Sequence, residues 1–80
     1  MDILTDLENL RKKLAKERKT LGDLVDESWE IHTNARNHLG KEDYNDIYGK
    51  LDAAYISVHE AIGRLDYEII QIVEAQNERM

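Results

Sequence analysis

The chain contains no cysteine, no proline and no phenylalanine among its 80 residues. Without cysteine it can form neither disulfides nor thiolate metal sites. The absence of proline is typical of long helices and uncommon in loop-rich folds. No apolar run approaches the roughly 20 residues that a membrane-spanning helix requires, and the acidic N-terminal stretch differs from the basic start of a signal peptide. We therefore expect a soluble, cytoplasmic, all-helical protein.

Charge is unevenly distributed along the chain. The formal net charge is −6, yet residues 11–19 hold six of the eleven bases and only one acid. The rest of the chain carries five bases and sixteen acids, a net charge of −11. An acidic balance argues against broad nucleic-acid binding, because that binding depends on neutralising phosphates.

The sequence is organised around Leu39-Gly40-Lys41, because a seven-residue pattern runs away from it in both directions. Glycine after a helical run favours a left-handed helix end. The pattern predicts an antiparallel two-helix coiled-coil hairpin in one domain, with a helix over 3–38, a turn over 39–42 and a helix over 43–77. The predicted contact seam of the first helix is Ile3, Leu7, Leu10, Leu14, Glu17, Leu21, Leu24, Ser28, Ile31, Ala35 and His38. That of the second is Tyr44, Tyr48, Leu51, Tyr55, Val58, Ile62, Leu65, Ile69, Ile72, Gln76 and Arg79.

An alternative fold is a three-helix bundle with a break near Gly22. Thr20 followed by Asp23 could cap a new helix, and a glycine in a helix interior costs roughly 1 kcal/mol relative to alanine. We favour a continuous helix, because Leu14 and Leu21 keep the same phase across the glycine.

The pattern also predicts a register in which facing seam residues have numbers that add to 82 or 83. The small Ala35 and Ser28 then face the large Tyr48 and Tyr55, which keeps the volume of each layer constant. The flanking pairs expected in this register are Lys13 with Glu68, Arg18 with Asp66, and His32 with Asp52.

Glu17 is the one charge in the middle of the predicted seam, where it would face Leu65. It either extends out of the seam towards Lys13 or fixes the register of the two helices. In both cases we expect Glu17→Leu to raise the melting temperature, because a packed side chain replaces a charge.

No pattern in the chain indicates catalysis or a metal site. The residues three before His32, His38 and His59 are not glutamates, so the Glu-x-x-His step of helical metal sites is missing. There is no nucleophile elbow and no phosphate-binding glycine loop. We expect no enzyme activity, no metal and no cofactor.

One flank of the predicted seam carries the candidate interaction surface. Glycine and isoleucine alternate every seven residues there on the second helix, which suits the close approach of another helix. A monomer would leave this patch exposed, which soluble monomers usually avoid. We predict a homodimer that forms a four-helix bundle, with Trp29 as its aromatic anchor. The predicted interface residues are Val25, Trp29, His32, Ile56, His59, Gly63, Ile70 and Val73.

The function expected from these features is that of a small non-catalytic interaction or regulatory module, acting through its helical surface on a second copy or on a different protein. One alternative is an acidic DNA mimic or inhibitor, of the kind a mobile element could encode. Another is a nucleic-acid-binding accessory protein that uses the basic run. Its polyanion contacts would be Arg11, Lys12, Lys16 and Lys19.

Overall fold

The computed structural model describes residues 2–78, which form an all-α hairpin of two long helices. Helix α1 spans Ile3–Leu39 and helix α2 spans Tyr44–Glu78. Residues 40–43 make the turn. The predicted all-α hairpin is thus confirmed, and the three-helix alternative is wrong because α1 runs through Gly22 without a break. Along residues 2–78 neither helix has a stretch long and apolar enough to cross a membrane.

Both ends of α1 are capped by the residue types that the local geometry favours. Asp2 precedes the helix, and its Oδ1 accepts hydrogen bonds from the N–H groups of Leu4 (3.1 Å) and Thr5 (3.4 Å). The Thr5 hydroxyl donates to Oδ2 at 2.7 Å, and these bonds from Thr5 lower the pKa of Asp2. At the other end Gly40 adopts a left-handed conformation with φ of 67°, and the N–H of Lys41 donates to the Ala35 carbonyl at 3.3 Å.

We expect Gly40→Ala to destabilise the hairpin by about 1–2 kcal/mol, because a side chain at positive φ crowds the backbone carbonyl. Thermal denaturation followed by circular dichroism measures the loss.

Gly49→Ala is the matched control, since Gly49 lies inside α2 and an added Cβ would meet no atom within 4 Å. It should stabilise the protein by about 0.5–1 kcal/mol, the usual gain of alanine over glycine in a helix. Equal effects of the two substitutions would contradict a turn that depends on the left-handed Gly40.

The contact seam of α2 follows the predicted pattern along most of the helix. Ile62 is its most buried residue, with 2% of its surface exposed. Gln76 is exposed, and Arg79 lies outside the described residues. The buried or half-buried members of the predicted seam are Tyr44, Tyr48, Leu51, Tyr55, Val58, Ile62, Leu65, Ile69 and Ile72.

The prediction of the α1 seam is only half correct. One of its two heptad positions is inward-facing as predicted, at Leu7, Leu14, Leu21, Ser28 and Ala35. The other was placed one residue too early. The exposed residues that were wrongly assigned to the seam are Ile3, Leu10, Glu17, Leu24, Ile31 and His38. The buried or half-buried residues that replace them are Leu4, Arg11, Arg18, Val25 and His32.

Two arginines explain why the hydrophobic pattern did not identify the second inward position of α1. Arg11 and Arg18 occupy inward positions of α1 and are both half-buried. An arginine can pack its aliphatic stem against apolar neighbours while its charged end reaches a polar partner. A count of apolar residues therefore favoured Leu10 over Arg11 at that position.

The register also differs from the predicted one. Four pairs of neighbouring residues on one flank of the seam have numbers that add to 77, whereas the pairs predicted on that flank, such as Arg18 with Asp66, add to 84. Asp66 bonds to Arg11, whereas the sequence predicted Arg18, seven residues further on. The helices are therefore paired about one heptad away from the predicted register. The four pairs are Arg11 with Asp66, Arg18 with His59, Gly22 with Tyr55, and Trp29 with Tyr48.

In this register the two helices are offset along the long axis of the hairpin, so their free ends are not level. The molecule measures 65 × 15 × 14 Å, whereas a helix of 37 residues is roughly 55 Å long at 1.5 Å per residue. The C-terminal end of α2 extends past the start of α1, because residue 75 pairs in this register with residue 2.

Candidate interaction surfaces

The two flanks of the hairpin seam differ in chemistry. On the first flank, here called the polar face, charged and aromatic side chains bridge the helices. The bridging pairs are Arg11 with Asp66, Arg18 with His59, and Trp29 with Tyr48. Arg11 makes a two-pronged ion pair with Asp66: Nε bonds to Oδ1, and Nη2 lies 3.3 Å from Oδ2. The hydrogen bond from Arg11 lowers the pKa of Asp66 and raises that of Arg11, while the nearby charge of Arg18 adds a smaller lowering at Asp66.

One heptad further along, Arg18 repeats the arrangement with a histidine. Its Nη1 lies 3.0 Å from Nδ1 of His59. A guanidinium can only donate, so Nδ1 of His59 is the acceptor and carries no proton in this arrangement. The His59 ring stacks on Tyr55, with an interplanar angle of 4° and a centroid distance of 6.3 Å. The basic run is therefore partly engaged within the fold.

The Arg11–Asp66 pair gives stability a defined pH dependence. Because the pKa of Asp66 is lowered from 3.8, the pair stabilises the fold at neutral pH, and this contribution is lost as the pH falls through the lowered pKa. We expect Asp66→Asn to lower the melting temperature at pH 7 by a few degrees at most, because both side chains remain partly exposed. Thermal melts from pH 7 down to pH 2 measure the difference from wild type, which should shrink as Asp66 is protonated.

Asp52→Asn is the control, since Asp52 lies on the same face and makes no ion pair among the described residues. It should leave the melting temperature nearly unchanged at every pH. An Asp66→Asn effect that persists at low pH would instead indicate altered packing.

Trp29 lies near the turn end of the polar face and is half-exposed. Its ring centroid is 4.9 Å from that of Tyr48 and 5.4 Å from that of His32. His32 is buried, with 6% of its surface exposed, and its Nδ1 has no hydrogen-bond partner among residues 2–78. Trp29 is therefore packed partly within the hairpin, and His32 is covered by it.

The predicted interface residues lie partly in the seam and partly on the exposed surface of the hairpin. Val25 and His32 belong to the seam inside the hairpin, which corrects their assignment to an outer surface. His59 is exposed but bonded to Arg18. The remaining residues of that prediction are exposed: Trp29, Ile56, Gly63, Ile70 and Val73.

The predicted polyanion contacts are also divided. Arg11 is half-buried and forms an ion pair with Asp66. Lys12, Lys16 and Lys19 are exposed on α1. Three solvated lysines remain, which is the usual state of a charged helix surface.

The second flank, here called the apolar face, was not recognised in the sequence. Its members on α1 are separated by multiples of seven residues, and each directly precedes a seam residue. Its members on α2 have the same spacing, and all except Ala75 directly precede a seam residue. In an antiparallel pair these positions fall on one common side. The apolar face consists of Ile3, Leu10, Leu24 and Ile31 of α1 and Ile47, Ala54, Ala61 and Ala75 of α2, all exposed.

The observed register arranges the apolar face in level rows. Residue numbers within each row add to 78, one more than in the contacts on the polar face. Two of the four large apolar side chains of α1, Ile3 and Leu24, lie level with alanines of α2. The rows are Ile3 with Ala75, Leu10 with Glu68, Glu17 with Ala61, Leu24 with Ala54, and Ile31 with Ile47.

Two glutamates interrupt these rows. Glu17 is exposed, and Glu68 is half-buried and bonded to Arg64 at 2.7 Å. At the turn end the face opens into a shallow groove lined by Ile31, Ala35 and Tyr44. The alanines of α2 at seven-residue spacing are the sequence signal that could have revealed this face.

Among residues 2–78 no group of three or more histidine and carboxylate side chains is placed to hold a metal ion. The chain matches no known protein-family model, and no curated protein or solved structure shows significant similarity to it.

Proposed function

We propose that this chain is a non-catalytic protein-interaction module that works as a homodimer, a four-helix bundle of two hairpins. The observation that carries the proposal is the amount of surface that a single hairpin leaves exposed. Its accessible surface is 6288 Å², whereas a compact protein of 9.3 kDa exposes about 5,000 Å².

The excess of about 1,300 Å² is larger than the area of about 800 Å² that each partner buries in a standard interface, so one hairpin exposes enough surface to bind a second. Burial within the described hairpin is correspondingly small. Only Ser28, His32, Ala35 and Ile62 are buried among residues 2–78, each with 2–7% of its surface exposed. A two-helix hairpin has one layer of contacts, and a second hairpin would give it a core on another side.

The surface favours binding over catalysis. The grooves along the described hairpin are shallow and open, and the most apolar one is lined mainly by Ile31, Leu39 and Tyr44, with His38 as its one acid–base group. Catalytic sites are usually concave and bring several polar groups together. Here the polar groups that meet, such as Arg11 and Asp66, neutralise each other.

Sedimentation equilibrium of the wild-type protein tests the proposal. At tens of micromolar we expect a species of twice the 9.3 kDa chain mass, dissociating on dilution with a micromolar or lower dissociation constant. A wild-type monomer throughout this range would overturn the homodimer and leave a different protein as the partner.

A further inference from the structure

We propose that the apolar face is the dimer interface and that it binds a second copy in antiparallel orientation, with the two turns at opposite ends of the bundle. This inference rests on the proposed homodimer. The two-fold axis would cross the hairpin near residue 20, so that α1 stacks on α1 of the partner and α2 on α2.

The composition of the two faces supports this choice of interface. A partner on the apolar face would cover four large apolar side chains of α1 and the alanines of α2, together with the two glutamates Glu17 and Glu68. A partner on the polar face would instead cover Asp52, His59 and the Arg11–Asp66 pair, which costs free energy unless each group finds a new partner. The exposed Ile56 and Ile70 lie outward on α2 beyond those charged groups.

The length of the rod and the rows of the apolar face are compatible with a two-fold axis near residue 20. The middle of α1 lies at residue 21, so this axis gives the greatest overlap of the two rods. Leu10 would then stack on the partner's Ile31, and Leu24 would lie opposite the partner's Glu17. Leu10 and Ile31, two of the four large apolar side chains of α1, would thus meet each other across the axis, whereas Glu17 would be the unfavourable member near the centre.

Charge complementarity determines the orientation. Residues 11–19 carry six bases and one acid, whereas residues 21–30 carry four acids and no base. In the antiparallel dimer these two segments of α1 lie against each other twice, once on each side of the axis. Potentials of opposite sign would then face each other along most of the α1–α1 contact.

A parallel dimer lacks this match. With both turns at one end, α1 would stack on the partner's α2 at the same level, so residues 11–19 would meet residues 58–66. That segment has two acids and one base, and its Asp66 is already bonded to Arg11 of its own chain. The strongly positive segment would find almost no compensating charge.

Two isoleucines provide a matched test of the face. Ile31 on the apolar face is 51% exposed and Ile70 outside it is 52% exposed, so a glutamate at either site is equally tolerated by a single hairpin. We expect Ile31→Glu to raise the dimer dissociation constant at least about 100-fold, because the charge is buried in both copies. Ile70→Glu should change it less than about 3-fold. Circular dichroism verifies that both variants keep their helices.

Spin labels determine the orientation, and the absence of cysteine makes single-cysteine labelling unambiguous. In the antiparallel dimer, labels at Lys41→Cys in the turn should lie nearly the full 65 Å length of the hairpin apart, and labels at Thr20→Cys should lie close together. A parallel dimer would bring both pairs within about two interhelical distances, roughly 20 Å. Pulsed electron paramagnetic resonance measures both distances.

The outcomes separate the two proposals. A monomeric wild type defeats the homodimer itself. A dimeric wild type that Ile70→Glu dissociates and Ile31→Glu leaves intact overturns the apolar face as the interface. A dimer with a short distance at Lys41→Cys overturns the antiparallel orientation and leaves the homodimer standing.

Discussion

Replacing Ile62 by alanine is expected to remove a large share of the protein's free energy of unfolding. Ile62 is the most buried described side chain, with 2% of its surface exposed, and in the observed register it lies level with Ala15 and Leu14. Truncating a buried isoleucine to alanine costs about 2–5 kcal/mol. Small domains are stable by only about 5–15 kcal/mol, so the melting temperature should fall by at least about 10 °C. Thermal and urea denaturation at a fixed protein concentration measure the loss.

Ile70→Ala is the matched control, because the same atoms are removed from an exposed site on the same helix. Its effect should be within about 0.5 kcal/mol of zero. If the Ile62 variant lost less than about 1 kcal/mol, the seam would be too loosely packed to depend on its central residue.

The second large effect is expected for Glu17→Leu, and it concerns association. The sequence suggested that this substitution would stabilise the hairpin by filling its seam, but the structure shows Glu17 exposed in a row with Ala61. If the apolar face is the dimer interface, leucine removes a charge near its centre in both copies. We expect the dissociation constant to fall by about 10- to 100-fold. Sedimentation across a dilution series measures the change.

Glu60→Leu is the control, since Glu60 is also an exposed glutamate but lies on the outer surface of α2. It should leave the dissociation constant unchanged. The melting temperature gives a second readout, because stabilisation through a dimer depends on protein concentration. A gain for Glu17→Leu that is the same at every concentration would place the effect inside one hairpin and contradict the proposed interface.

The hairpin itself could be predicted because its signals are local. The seven-residue pattern and Gly40 are read directly from the sequence, and the structure has the turn with positive φ at Gly40. The seam of α2 was also predictable, because the sequence neighbours of seam residues such as Ile62 and Leu65 are mostly polar or small. The seam is the one stripe of α2 that is apolar at every position from Tyr44 to Ile72, so it was the stripe expected to face α1.

The seam of α1 was harder to predict, because this helix carries two apolar stripes next to each other. Leu10 and Leu24 lie on one, Leu7 and Leu21 on the other, and the hydrophobic pattern alone does not show which side faces α2. The deciding residues were Arg11 and Arg18, which count as surface residues in such a pattern. Their role depends on Asp66 and His59 in the other helix, so no local rule could identify it.

The register was unpredictable for a related reason. A heptad repeat gives nearly the same apolar contacts when one helix slides by seven residues. The choice then rests on a few specific pairs, such as Arg11 with Asp66 and Trp29 with Tyr48. The apolar face followed from the register and the seam, so it became visible only after both were known.

The stagger of the two helices has a consequence for how the protein opens. In the observed register, α2 beyond about residue 74 has no part of α1 beside it, because α1 begins at Ile3. A single helical turn without a neighbour is unstable in water. The backbone amides near Glu78 therefore open at almost no cost in free energy, while those around Ile62 open only when the whole hairpin unfolds. Amide exchange with solvent should start at this open end and reach the middle of α2 last.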